Sequence, residues 1–560
     1  MGRDDRLLLK MLHRLWKRTR ARRQRHSQTV PGKGKSQAPL SPDLKANVRY
    51  LQETFGYSQD LVIREVTVKE RRAALAYLES MVDRDVIQRD VLPSLMKLGR
   101  EGGYSARELV TLVRDNLSIG HLKEQDRWGD VVYGLLDGQV ALLMDGSRRV
   151  LLLGADSWEK RAVTEPEVET VIRGPREGFT EDLPTNISLI RRRLRTPDLR
   201  FETWYLGRAT HTRVVISYLE GLALQEVLEE LRSRLRRIDT DGILESGYIE
   251  EMIEDCPFSP FPQFARTERP DRVVADILQG RVAILTDGSP FVLTLPINLF
   301  TELQAADDLY ERWVVSFIRL YRFISIFVAL LLPALYVAFT TFHHEMIPTV
   351  LAVAIAAQRE RVPYPAFLEA LLMQIIFEIL VEAGLRLPRP VGQAVTIVGA
   401  LVIGEAAIRA GLASAAMVIV VSLTAIASFT NPTFGLGTAI RMLRLPMIFL
   451  AGSLGIFGIF AGVLAILIHL VTLRSLGLPY LAPVAPFIWE DQKDVVFRAP
   501  WWLMVTRPKL EGGLRNFIRT KPGNKKFVPP RAEPPEAEIE TMMGEGNRPR
   551  GKGPSRRPRH

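Results

Sequence analysis

One cysteine, Cys256, stands in 560 residues, so a disulfide framework is excluded and a soluble part in a reducing compartment is expected. Histidine is nearly as sparse: eight residues, scattered, with no Cys/His cluster at metal-ligand spacing. His343-His344 is the sole adjacent pair, and its place at the end of an apolar run accounts for it. No glycine-rich loop followed by a Lys-Ser/Thr pair leads from a strand into a helix, as a bound nucleotide would require. An export signal is lacking too: Leu7–Leu9 is too short an apolar core, and Lys10, Arg14 and Lys17 interrupt the residues after it. These absences leave no catalytic residue, metal or cofactor to assign. A non-enzyme is expected, with residues 1–320 in the cytosol.

Charge is present but uneven. Of the net +11, residues 1–36 hold twelve Lys/Arg against two acids, and residues 505–560 hold fourteen against six. The remainder is therefore slightly acidic. Basic tails on such a chain fit solvation or an anionic membrane leaflet better than nucleic acid.

What the sequence has in quantity is long apolar runs, gathered late. Phe323–Phe342, Val391–Ala410, Leu412–Thr430 and Pro446–Leu473 each come near or above the ~20 residues that cross a bilayer as a helix. Two basic tails on one side call for an even number of crossings, but four spans would leave Arg441 and Arg444 on the wrong side, so counts of four to six stay open. Pro333 marks a kink site in the first span. Met346–Ala357 is short enough to be re-entrant or interfacial. Phe367–Leu385 is apolar apart from Glu369, Gln374, Glu378 and Glu382. The last three are four apart and share one helical stripe. Two readings stand: Gln374, Glu378 and Glu382 line a pore or cavity, or the acids lie wet at the interface or pair with Arg386 or Arg389. Glu405, four residues before Arg409, suits a helix ion pair. Gly452, Gly455, Gly458 and Gly462 make a small-residue face for helix packing, within one subunit or between subunits.

Upstream, residues 1–40 read as a disordered basic tail. A helix comes next at Leu44, Val48, Leu51 and Phe55, then a strand at Leu61–Val68 and a helix at Ala73–Val82. Val131–Leu153 and Val273–Leu295 repeat one pattern, with Asp145-Gly146 and Asp287-Gly288 as tight turns between apolar strands. Tyr77-Leu78-Glu79 recurs as Tyr218-Leu219-Glu220 at almost the same offset. Between the copies, Arg173–Arg195 reads as a connector ending in a helix with a basic face. The expected fold is multidomain: a duplicated α/β cytosolic domain followed by an all-α polytopic transmembrane domain. Its divisions are a tail 1–40, unit one 41–160, connector 161–199, unit two 200–310, membrane domain 311–480 and a basic, Pro-rich cytosolic tail 481–560.

Leu387–Ala407 (LPRPVGQAVTIVGALVIGEAA), Thr424–Thr430 (TAIASFT) and Arg474–Pro486 (RSLGLPYLAPVAP) resemble the GerA family of spore germination proteins, in its A-subunit branch. So do Asp60–Glu65 (DLVIRE), Arg173–Arg193 (RGPREGFTEDLPTNISLIRRR) and Arg269–Pro296 (RPDRVVADILQGRVAILTDGSPFVLTLP). The resemblance runs over residues 41–500 and implies a receptor component in the inner membrane of a bacterial spore, multi-pass, with a cytosolic N-terminal domain. It implies a transporter-like B subunit and a lipoprotein C subunit as partners, homo-oligomerisation among membrane lipids, and ion conduction triggered by small nutrients. A non-conducting scaffold, or the related stage V sporulation membrane protein that aids ion or dipicolinate release, are the alternatives. Glu405, where the family pattern leads one to expect Gln, and Asn431-Pro432 depart from that pattern.

Overall fold

Apolar strands separated by Asp-Gly turns assemble into two five-stranded antiparallel sheets of the same topology. The computed structural model describes residues 39–68, 71–93, 95, 122–155, 165–311 without 167, 170 and 172, 314–386, and 404–510 without 502 and 505. The first sheet contains β1 (Leu61–Val68), β2 (Arg71–Leu78), β3 (Leu122–Gln125), β4 (Gln139–Met144) and β5 (Val150–Gly154), in the order β1-β2-β4-β5-β3. The second contains β6 (Leu199–Leu206), β7 (Thr212–Leu219), β8 (Ala265–Thr267), β9 (Val282–Thr286) and β10 (Val292–Leu295), in the order β6-β7-β9-β10-β8. Gly146 and Gly288 both turn at φ 83°, in the left-handed region glycine tolerates. Asp145 also ties the first helix to the hairpin, its Oδ1 accepting from Leu44 N at 3.2 Å.

Residues 71–78 contradict the helix expected at Ala73–Val82: they form β2, paired to β1 and β4. The strand lies in the sheet interior and is covered on both faces. Ala73 and Leu75 pack with Val140 and Leu142 on one side. Ala74 and Ala76 meet Leu51, Trp128 and Val131 of α1 (Leu44–Thr54) and α2 (Trp128–Leu136) on the other. A strand buried on both faces loses its alternation, and its alanines then imitate a helix.

The second sheet is sandwiched the same way. One face carries α3 (Leu183–Arg193) and α6 (Pro270–Gln279), through Leu183, Ile190, Val273 and Ile277. The other carries α4 (Gln225–Arg237) and α5 (Ser246–Ile253), through Val227, Leu231, Leu235 and Ile249. The helix expected as a basic-faced connector is thus α3, the counterpart of α1. Its Arg191 is completely buried rather than solvated.

The helical part comprises α7 (Val315–Thr341), α8 (Thr349–Arg359), α9 (Ala366–Arg386), α10 (Gly404–Arg409), α11 (Ala415–Phe429) and α12 (Phe434–Thr472). Among the described residues, α7 and α12 are long and apolar enough to cross a membrane, while α8 and α11 are apolar but shorter. α7 runs through Pro333 without a break. Residues 391–403 of one expected span, residues 1–38 of the expected tail 1–40 and residues 511–560 of the expected tail 481–560 lie outside the described residues.

The expected single span Pro446–Leu473 is corrected. α12 turns back on itself at Gly455, whose φ 61° and ψ −140° are not helical. A Cβ on Gly462 would lie 2.5 Å from Met447 Sδ, and one on Gly458 would collide with Leu450 O. Residues eight or more apart touch this way only if the two arms are antiparallel, since a straight helix would separate them by roughly 12 Å or more. Both ends of α12 return to the sheets: Thr433 Oγ1 donates to Glu302 O (3.0 Å), and His469 Nε2 lies 2.8 Å from Ser259 Oγ. Arg441 therefore sits toward the sheet end and Arg444 about halfway up the first arm, bonded to Ala329 in the middle of α7, rather than either lying beyond a far end. α7 rises from that end, where Ser316 Oγ accepts from Arg498 N (2.9 Å), to place His343 against Gly455. α9 and α11 both run back, from Phe367 and Ser414 near the far end to Phe377 and Phe429, whose rings lie 6.4 Å apart.

Candidate functional site

The acid stripe of α9 lies on a groove shared with the first arm of α12. Glu378, Glu382 and Arg386 line it with Ile375, Ile379, Ala383 and Leu445. Gln374 is buried above the groove, and its Nε2 donates to Glu378 Oε1 at 3.0 Å. Arg441 Nη1 approaches Glu378 Oε2 at 3.5 Å, and Arg386 Nε donates to the exposed Glu382 at 2.6 Å. The three residues singled out from the sequence thus share one helix face, but each carboxylate has a cation of its own chain beside it. Glu405 and Arg409 also pair within α10.

The four glycines do different things. Gly452 leaves room for Phe367 of α9, whose ring a Cβ would meet at 2.5 Å. Gly455 makes the turn, while Gly458 and Gly462 let the two arms of α12 close. All these contacts lie within one chain.

Two charges to which the sequence assigns no partner are buried in the bundle. Glu369 is fully buried; its Oε1 accepts from Ser414 N (2.6 Å) and Ser414 Oγ (2.7 Å), and Ser414 also caps α11. Its nearest cation, Arg359 Nε, stands 3.7 Å from Oε2. Arg444 is equally buried and donates to Ala329 O (2.7 Å) and Ser428 Oγ (2.5 Å). Ser414 before an apolar run is a visible cap signal, but nothing in the spacing points it to Glu369, 45 residues earlier.

Where the sheets meet each other and the bundle, charges are buried in pairs. Arg191 Nη2 lies 2.6 Å from Asp60 Oδ2, joining the two units, and Ser58 Oγ donates to the other oxygen of Asp60 at 2.6 Å. Arg269 Nη2 donates to Asp271 (2.9 Å) and to Pro175 O (2.8 Å), while Tyr310 Oη donates to Asp271 (2.6 Å). Arg272 pairs with Glu169 at 2.9 Å. At the base of α7, Asp308 receives both Arg319 and Arg322 at 2.9 Å. Between sheet and hairpin, burial pushes the Glu302 carboxyl up to about 7, with Arg272 pulling the other way. Glu302 Oε1 has no hydrogen-bond partner. Among the described residues, no group of three or more His, Cys, Asp or Glu is placed to hold a metal.

These buried pairs join the segments that carry the family resemblance: Asp60 in DLVIRE meets Arg191 in the 173–193 run, and Pro175 meets Arg269. A family model described as Bacillus/Clostridium GerA spore germination protein matches residues 49–510. The chain belongs to the GerA family. Spore germination protein KA of Bacillus subtilis (strain 168) is 43% identical over 84% of this chain and 87% of its own length. GerLA of Bacillus cereus, also a spore germination protein, is 38% identical over 86% of this chain and 98% of its own. The uncharacterized membrane protein YfkQ of Bacillus subtilis (strain 168) is 45% identical over 84% of this chain and 91% of its own. A crystal structure of the N-terminal domain of the A subunit of the Bacillus megaterium spore germinant receptor GerK3 is 37% identical, covers 46% of this chain and 96% of that one, and gives a TM-score of 0.37. The GerA family is one of germination receptor subunits and not a known enzyme family.

Proposed function

We propose that this GerA-family chain is the integral-membrane A subunit of a spore germinant receptor, oligomerising into a nutrient-gated ion channel in the spore inner membrane. Its sheets lie on the cytosolic side, and it works with a transporter-like B subunit and a lipoprotein C subunit. The carrying observation is the acid-striped α9 packed against a helical hairpin in a chain of this family. Each arm of α12 rises roughly 25–30 Å, close to the bilayer hydrocarbon thickness. Folding at Gly455 turns one span into two, brings the chain back to the sheet end at Ser475, and puts Arg441 toward that end, as the positive-inside rule favours. Among the described residues, α7, α9, α11 and the two arms of α12 are the passes of this reading. The relative YfkQ, itself described as a membrane protein, supports placement in a membrane.

Glu382 is the exposed member of the stripe and the one able to face an axis between subunits, with Glu378 held behind it by Gln374 and Arg441. A second reading, a scaffold that clusters receptors without conducting, is favoured by one observation: each stripe carboxylate is already neutralised within its own chain. Glu378→Gln and Glu382→Gln separate the two. Altered ion release from spores with normal receptor assembly supports the channel; lost assembly with it supports the scaffold. Relatives named as spore germination proteins favour the receptor over the stage V sporulation protein, and B- and C-subunit reading frames beside this one would test that choice.

A further inference from the structure

At the sheet end of the bundle, aromatic side chains stand exposed on four separate segments. Phe258 is 99% exposed in the loop after α5, Phe317 and Tyr321 lie in the first turns of α7, Phe434 opens α12, and Phe497 and Trp501 come after it. Contacts hold these segments at one end. Ser259 Oγ meets His469 near the close of α12, and Pro262 packs on Gly435 at its start. Arg498 N donates to Ser316 Oγ, and Phe317 and Leu320 face Phe497 and Pro500 across one cavity.

Aromatics on an apolar helix need no special account, but those in loops do. Loops run over the surface and are ordinarily polar. Phe258, Phe497 and Trp501 instead add exposed apolar surface at the level of the helix starts, of the kind that marks an interaction site, and Phe497 shares a cavity with Phe317. Aromatic rings favour the depth where hydrocarbon gives way to headgroups. Three cations at this level are turned inward: Arg319 and Arg322 to Asp308, and Arg498 to the carbonyls of Glu311 and Leu309 with its guanidinium over Trp501 at 5.3 Å. From the sheet side the chain continues into residues 511–560, with twelve Lys/Arg against six acids, a charge that anionic headgroups attract.

We propose that Phe258, Phe317, Tyr321, Phe434, Phe497 and Trp501 form an interfacial girdle that seats the protein in the headgroup region of the leaflet on the sheet side. The girdle rests on the membrane reading above, and it fixes the depth at which the sheets are carried. Arg319, Arg322 and Asp308 thereby lie at the boundary between lipid and water.

The test uses the full chain in the Cys256→Ser background, in vesicles of phosphatidylglycerol and phosphatidylethanolamine. Single cysteines replace Phe258, Phe497, Phe449 in the first arm of α12, or Tyr205 on the second sheet, and each carries a bimane label. Spin-labelled lipids quench either near the headgroup or near the chain end. Labels at 258 and 497 are expected to be quenched several-fold more by the shallow lipid than by the deep one, the label at 449 the reverse, and the label at 205 by neither. If 258 and 497 behave like 205 while 449 is quenched, the girdle is wrong and the membrane reading stands. If 449 is unquenched as well, the membrane reading fails and takes the girdle with it. Energy transfer between labels at 497 on different copies, without lipid quenching, would assign the patch to a second copy of this chain and overturn the proposal.

Discussion

The sheet units and the helical bundle both bury charge, yet they satisfy it differently. At the sheets and their junction with the bundle, each of Arg191, Arg269, Arg272 and Arg319 meets a carboxylate within 2.9 Å; the Arg191–Asp60, Arg272–Glu169 and Arg319–Asp308 pairs join separate segments, and Arg269 reaches across to Pro175 O. In the bundle, Glu369 is held by a hydroxyl and a backbone N–H, and Arg444 by a carbonyl and a hydroxyl. A buried pair is costly to break because the survivor is left as an uncompensated charge, so such pairs fix one docking geometry. A charge held by neutral dipoles can exchange them for others. The sheets are thus built as a rigid platform, and the bundle retains contacts that are able to change partner.

The largest expected effect comes from the platform. Arg191→Ala should destabilise the protein by about 3–5 kcal/mol, because it strands Asp60 at the junction of the two units. Changing both residues, Arg191→Met with Asp60→Leu, should cost less than the single change, which denaturant unfolding in detergent would show. Equal costs for single and double variants would break the comparison.

Glu302 lies on the border between the two regions and predicts a pH dependence. Its folded value of about 7 exceeds the ordinary 4.5, so the folded state binds the proton more tightly. The stability this adds is full below pH 4.5 and is lost as pH rises through 7. Glu302→Gln should flatten the melting temperature across that window, and an unchanged slope would remove Glu302 as its source.

In the bundle, Glu369→Gln keeps the acceptor for Ser414 and should cost about 1 kcal/mol or less, whereas Glu369→Ala should cost about 1–3 kcal/mol. A larger loss in the glutamine variant would mean that the charge itself, and so its pairing with Arg359, holds the helices together. The smallest effect separates the two repeats. Asp145→Ala should cost about 1 kcal/mol through its bond to Leu44 N. Asp287→Ala, which removes a carboxylate whose nearest cation is Arg213 at 3.8 Å, should cost at most about a few tenths of a kcal/mol. Thermal melts of the two variants would check the difference.

How much of this was legible in the sequence depends on the range of each interaction. The repeat, both Asp-Gly turns, the first helix and the Glu405–Arg409 pair depend on neighbours within a few residues, and the spacing displayed them. β2 was misread because burial on both faces erased its alternation. The Asp60–Arg191 pair spans 131 residues, and a run of three arginines does not disclose which one turns inward. The four glycines of α12 look alike in sequence, yet only Gly455 makes the turn, and missing it left Arg441 and Arg444 apparently on the wrong side. The acid stripe was visible as a stripe, whereas Arg441 as the partner of Glu378 became apparent only once α12 was seen to fold back.

The most direct test of the central claim is cation flux through vesicles holding this chain with the B subunit proposed as its partner. The account predicts flux that appears on adding the nutrient and is altered by Glu382→Gln while assembly stays intact. Folded, assembled protein that passes no cations with or without nutrient would contradict it.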